Sequence, residues 1–320
     1  MRKLLTFLAL SALIVLFVSC PNPTSTDPLS EELTTSQLVA SLKIDYSVPG
    51  ETFTAKAISA GSPGFTAETI RTNFTDMAAL ITTAVGDDLA AESLAFETLH
   101  TIAPKTVTMT FGGTDYPFAL GESKVKMTKE GTTYTVYWSS TFTMPNLSAT
   151  PTRLLVKFLR SGSELTVWMR YPDLSTPLEL KAYCNSATNA YKCYQSAYDD
   201  IQNPGESGFQ KWMTLGMSGS IVTINYKMYP QTTTRADWLV WGDSTNAMIA
   251  RADDTTPSYS YLVNNFWFTG TLPAFFDAAP EGPFIGDGGW AATESDRDSF
   301  LAQNGTVLAA TNETKMELGL

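Results

Sequence analysis

The stretch EGTTYTVYWS, residues 130–139, decides the fold, because the chain writes it again as SGSELTVWMR (161–170) and SGSIVTINYK (218–227). Each copy opens with a glycine, Gly131, Gly162 or Gly219, and places a threonine at the same later position, Thr135, Thr166 or Thr223. A Val or Ile and large side chains follow, and another apolar run lies upstream of each copy: SKVKMT, RLLVKFL and KWMTLGM. Glycine supplies the positive φ of a tight hairpin turn, and β-branched and aromatic residues suit the strands on either side. The copies lie 31 and 57 residues apart, which points to repeated hairpins in an antiparallel meander rather than duplicated domains. Convergence is the alternative, since any hairpin wants these residue types.

Working outward, KTVTMTF, DWLVW, NAMIAR and YSYLVNNFWF are further strand candidates. At about ten or more strands, a sheet must curl strongly, close into a barrel or split into a sandwich. Before residue 105 the signals are helical. TAETIRTNFTDMAALITTAV sets Ile70, Phe74, Met77, Ile81 and Ala84 on one helical face. DDLAAESLAFETLHTIAP opens with two acids and stops at Pro104, and a shorter helix is expected around Ser30–Leu42. TESDRDSFLAQNG, with Ser295 as N-cap and Gly305 past its end, reads as a C-terminal helix. The expected fold class is α+β, mainly β: a helix-rich segment over 36–105 and an antiparallel body with a mixed tail over 106–320.

Alternation assigns faces. Tyr134, Val136, Trp138 and Phe142 share one face and are expected in the core, as are Leu165, Val167 and Met169. That leaves Trp168 beside Thr166 and Arg170 on the polar face. NNFWFTG and DWLVW carry large aromatics on both faces, and such strands lie between two layers or line a cavity. A helix layer over residues 66–103 would cover the outer face. A cup for a lipid or another apolar ligand, or an aromatic platform for sugar rings, would use Trp168, Trp241 and Trp267.

The N-terminus sets the compartment. Arg2 and Lys3 precede an apolar run, Leu4 to Val18, that falls short of the ~20 residues a membrane span needs. It ends in FVSC, Phe17–Cys20, followed by PNPTSTDPLSEE. FVSC resembles a bacterial lipobox, in the relaxed form seen in spirochaetes, with Phe17 and Ser19 departing from the usual Leu and Gly or Ala. The resemblance implies that residues 1–19 are a signal peptide and that Cys20 is acylated (palmitate among its chains) and becomes the N-terminus. An ordinary secretory signal cleaved nearby is the alternative. Two or more acyl chains hold a protein stably on a bilayer. Residues 20–35 then form a solvated tether, and the protein is exported and anchored in the cell envelope, with the membrane as partner through its acyl chains.

Net charge is −11, and loss of Arg2 and Lys3 makes it −13, which argues against nucleic acid as a partner. Cys184 and Cys193, with eight residues between them in AYCNSATNAYKCY, are expected to form a disulfide in an oxidising compartment. Histidine-rich metal sites are excluded because His100 is the only histidine, placed near a helix end in a structural role. No G-x-S-x-G, P-loop or dinucleotide-binding glycine pattern occurs, and no cofactor is expected. The one catalytic route left is a carboxylate pair among Asp277, Glu281 and Asp287 in FFDAAPEGPFIGDGGW, as in glycoside hydrolysis, against plain turn acids or a calcium loop. The leading expectation is a non-enzymatic envelope lipoprotein that binds an apolar ligand, a glycan or an envelope protein. A carboxylate-dependent glycoside hydrolase and a purely structural envelope protein are the alternatives.

Overall fold

The computed structural model describes residues 33–43, 82–111, 114–143, 151–171, 178–188, 190–200, 203–229, 237–242, 246–252, 258–263, 266–269 and 299. All of these belong to one compact unit, Leu33–Leu320. The fold is a mainly-β α+β arrangement: one curved, open antiparallel sheet with two short helices.

The first helix, α1 (Thr35–Ser41), starts at a capping box. The Thr34 side chain accepts from the Gln37 N–H, and the Gln37 carboxamide oxygen accepts from the Thr34 N–H at 2.8 Å. Two of the four orphan amides of the helix start are thereby engaged. The Leu33 N–H donates to the Tyr134 hydroxyl at 2.8 Å, which ties this end to the sheet. The described part of the second helix is residues 82–90, with Ala84, Val85 and Leu89 buried.

The strands run β1 (Leu99–Ile102), β2 (Lys105–Phe111), β3 (Thr114–Leu120), β4 (Ser123–Glu130), β5 (Thr133–Thr143), β6 (Thr152–Ser161), β7 (Glu164–Tyr171) and β8 (Leu178–Asn185). They continue as β9 (Ala190–Asp200), β10 (Asn203–Ser218), β11 (Ile221–Tyr229), β12 (Asp237–Gly242), β13 (Asn246–Ala252), β14 (Ser258–Val263) and β15 (Phe266–Thr269). From β4 to β15 every strand pairs with the next in sequence, an uninterrupted meander. β1 adds to the free side of β4, while the β2–β3 hairpin joins through β3 to the far end of the long β5. Among the described residues β1 and β15 do not meet, so the sheet stays open.

All three repeated stretches are hairpins. Gly131, Gly162 and Gly219 have φ of 60°, 56° and 60°, each as the first of two loop residues between paired strand ends. The second loop residue has no positive φ in any of the three, which makes them type II′ turns. The turn twists with the strands and so fixes the register that sorts the faces.

The face expected in the core is the core. Tyr134, Val136, Trp138, Phe142, Leu165, Val167 and Met169 are all buried in one cluster with Leu38 of α1, Leu42 at its C-cap and Leu89 of the second helix. Phe118 stacks on Phe142 at 5.0 Å, and Tyr171 meets the same ring edge-on at 6.2 Å. α1 and the helix at 82–90 therefore cover the inner face; of the layer expected over 66–103 on the outer face, residues 66–81 lie outside the described residues.

Two sequence expectations need correction. The run DDLAAESLAFETLHTIAP is not one helix: helix ends at residue 90, and Leu99–Ile102 forms the edge strand β1. The Glu97 N–H donates to the Met127 carbonyl at 2.8 Å and Glu97 takes a φ of 61°, a turn that steers the chain onto the edge of β4. Pairing along β4 outweighs the helical spacing of the apolar residues. The expected disulfide is also absent. No bond joins Cys184 and Cys193, although the hairpin around them forms as expected. Register explains this: Cys184 faces Tyr191 and Cys193 faces Ala182, so the cysteines are diagonal neighbours two residues out of step. Diagonal Cα atoms lie ~7–8 Å apart, beyond the ordinary disulfide span. The loop is closed instead by Asn185, whose side-chain oxygen accepts from the N–H groups of Ala187 and Thr188.

Candidate functional site

The outer face of the sheet carries a row that no single strand reveals. Lys126 on β4 pairs with Tyr137 on β5, Tyr137 with Lys157 on β6, and Lys157 with Trp168 on β7. Trp168 pairs with Lys181 on β8, Lys181 with Tyr194 on β9, and Tyr194 with Trp212 on β10. Lysine and aromatic residues thus alternate straight across six strands, Trp212 follows Tyr194 as a second aromatic, and Lys227 of β11 stands opposite Trp212 in register. Neighbouring strands lie ~4.8 Å apart, which brings the Lys157 and Lys181 side chains within reach of rings on the next strand.

The contacts follow from that spacing. The Lys157 Nζ lies 5.0 Å from the Trp168 ring centroid and 5.7 Å from that of Tyr137. The Lys181 Nζ lies 5.3 Å from the same Trp168 ring. Two ammonium groups, from the strands on either side of β7, therefore bracket one indole, each within cation–π range.

The row runs from partly exposed to buried. Lys126, Tyr137 and Lys157 keep intermediate exposure, while Trp168 and Lys181 are each only 1% exposed. Burial, and after it the charge of Lys157, pushes the Lys181 ammonium down to about 8. The Trp168 Nε1 is buried without a hydrogen-bond partner, which costs about 1–3 kcal/mol for a neutral donor. Apolar groups flank the bracketed indole. Leu155 and Trp168 form a cluster with Tyr137 and Leu159, and Tyr194 and Trp212 form another with Tyr183. Both clusters are separate from the main core. Beside the row, Arg170 Nε pairs with Glu179 at 3.3 Å; burial raises the Glu179 carboxyl, and the arginine opposes this. Thus a chain of net charge −11 gathers cations in the middle of one face.

Of the residues singled out in the sequence, Trp168 is at the centre of this row, on the face assigned to it. Trp241 is buried on β12 opposite Thr223 and is not in the row. Trp267 has only its backbone described, on β15 opposite Leu262. Asp277, Glu281, Asp287, Cys20 and Ser295 lie outside the described residues, as do Ile70, Phe74, Met77 and Ile81. Of the expected C-terminal helix only Ser299 is described, and it is helical. His100 sits on β1 rather than at a helix end, and its Nε2 accepts from the Ala95 N–H at 2.9 Å, a local bond that shapes the loop before the strand. Among the described residues no group of three or more metal-ligating side chains occurs, and no helix is long and apolar enough to cross a membrane.

The sequence reading missed Lys157, Lys181, Tyr194 and Trp212. Each is an ordinary strand residue by itself, and the signal lies in register across β5–β10. No family model, no curated protein and no solved structure matches this chain.

Proposed function

We propose that this chain is an exported envelope lipoprotein, anchored through acyl chains on Cys20, that binds an apolar ligand on the outer face of its sheet without acting on it chemically. The observation that carries the reading is the second apolar layer. Strands β6 to β8 bury Leu155, Trp168 and Lys181 on the face that the two helices do not cover. A sheet that needed only one core would leave that face polar. The anchor is supported by the short apolar run ending at Cys20, and the tether at 20–35 by its Pro, Ser and Thr content.

The test is native mass spectrometry of the full chain released from detergent, before and after organic extraction. A stoichiometric adduct lost on extraction is the expected result. A bare protein mass in both states refutes ligand binding. In parallel, wild type should incorporate labelled palmitate and a Cys20→Ala variant should not; label in the variant rules out Cys20 as the acylated residue.

A further inference from the structure

We infer that the exposed end of the outer face, on β1 and β4–β6, docks on an anionic lipid surface. The inference goes beyond ligand binding: it concerns the bilayer itself, and its test separates this contact from the acyl anchor.

The face does not begin at Lys126. Leu99 of β1 stands opposite Lys126 in register, and Thr101 opposite Lys124. Leu99 is the one large apolar side chain exposed among the described residues, at 44%. A single exposed leucine carries no meaning alone. This one is followed across the strands by Lys126, Tyr137 and Lys157, all partly exposed, with the Lys157 ammonium 5.7 Å from the Tyr137 ring centroid. Lys124 and Arg153 share the face by alternation along β4 and β6. Such a mixture suits a headgroup layer, because leucine and tyrosine enter it while long cationic side chains reach its phosphates.

Charge points to the same partner. Strands β1, β4, β5 and β6 hold six cations, Lys124, Lys126, Lys129, Arg153, Lys157 and Arg160, against one acid, Glu130 at the end of β4; Glu122 lies just before that strand. The whole chain is −11, yet exposed charges are screened beyond ~8 Å at physiological salt, so the local face decides. Basic groups within that range of an anionic leaflet are drawn to it. The anchor would supply proximity. Leu33 donates to Tyr134 of β5, the strand that also carries Tyr137. A tether of the 13 residues from Cys20 to Glu32 spans about 20 Å as a coil, which holds an anchored body beside the surface.

The experiment reconstitutes the full chain, purified from membranes in detergent, into vesicles of phosphatidylcholine alone or with phosphatidylglycerol. Acetic anhydride labels exposed lysines, and peptide mass spectrometry reads the rate at each. Lys124 and Lys126 should label about threefold or more slowly on the anionic vesicles. Salt at 1 M, which cuts the screening length to ~3 Å, should remove the difference. Lys43, exposed just past α1, should label alike on both. Leu99→Ser and Lys126→Glu should each restore most of the Lys124 rate, and circular dichroism checks that each variant folds. Protein that floats with both vesicles and labels alike at Lys124 and Lys126 overturns the docking face and leaves the anchor standing. Equal slowing at Lys43 overturns it too, since that marks a field without a contact. Slowing that survives both substitutions overturns the assignment of the face. Protein that floats with the anionic vesicles alone upholds docking while removing the anchor, and protein that floats with neither removes both.

Discussion

The indole nitrogen of Trp138 donates to Oδ2 of Asp88 at 2.6 Å, joining the second helix to β5. Asp88 is fully buried, and its other oxygen lies 3.2 Å from the Lys105 ammonium at the start of β2. That ammonium also donates to the Asp88 carbonyl at 2.7 Å. One carboxylate thus holds a helix, the long strand β5 and the β2–β3 hairpin in a fixed arrangement. Asp88→Ala should lower the unfolding free energy by about 3–5 kcal/mol, because it leaves a buried indole donor and a lysine without their acceptor. Asp88→Asn keeps an acceptor for Trp138 and should cost less. Urea denaturation gives the check: the midpoint should fall in the order wild type, Asn, Ala, and equal midpoints for all three would remove Asp88 from the helix–sheet tie.

Lys181 gives the fold a pH dependence of calculable sign. Its pKa is pushed down to about 8 from an ordinary 10.5, chiefly by burial. Between those values the unfolded chain binds a proton at this residue that the folded chain does not, so its contribution to stability rises with pH. Below about 8 the burial penalty on the charged form is present in full. The tyrosines Tyr137, Tyr171 and Tyr183, raised mainly by burial, act oppositely above their ordinary value of 10. The usable window is therefore about pH 8 to 10. Across it, wild type should gain stability relative to Lys181→Met, measured as the difference in urea midpoint at each pH. A difference that stays flat over the window would mean that Lys181 is not buried as a cation.

The hairpin plan was legible because the turn chemistry is local. Gly131, Gly162 and Gly219 announce type II′ turns, and two-residue alternation around them sorts Val136 from Tyr137 and Val167 from Trp168. The Lys–aromatic row was not legible, since its members come from seven strands, β4 to β10. Only the pairing of Tyr137, Lys157, Trp168, Lys181, Tyr194 and Trp212 in register makes them neighbours. Leu99–Ile102 was misread for a related reason. Its apolar spacing suits a helix, but the free edge of β4 offers hydrogen bonds that a strand can take. Cys184 and Cys193 show the same limit, because separation along the chain says nothing about a diagonal offset between paired strands.

The cysteines lead to a direct chemical prediction. Protein purified without reductant, then denatured, should take up a thiol-alkylating reagent at both Cys184 and Cys193. The measured mass should not depend on prior reduction. Uptake at neither position until reductant is added would show that the two form a disulfide, and would require a different register for the β8–β9 hairpin.

The turn glycines can be separated from their surroundings. A Cβ added at Gly131 or Gly219 would meet nothing within 4 Å, so substitution there tests the backbone alone. At φ of 60° an L-residue pays roughly 1–2 kcal/mol, less for asparagine than for a β-branched side chain. Gly121, between β3 and β4, is the contrasting case. Its N–H donates to the Thr141 carbonyl at 2.9 Å, and an added Cβ would collide with the Thr141 side chain. Gly131→Asn should therefore cost about 1 kcal/mol and Gly131→Val about 2 kcal/mol, while Gly121→Ala should be costly despite adding a single methyl group. Thermal unfolding of the three variants tests the ranking. If Gly131→Val were as stable as wild type, the β4–β5 turn would not be type II′, and the register that builds both faces of the sheet would need another origin.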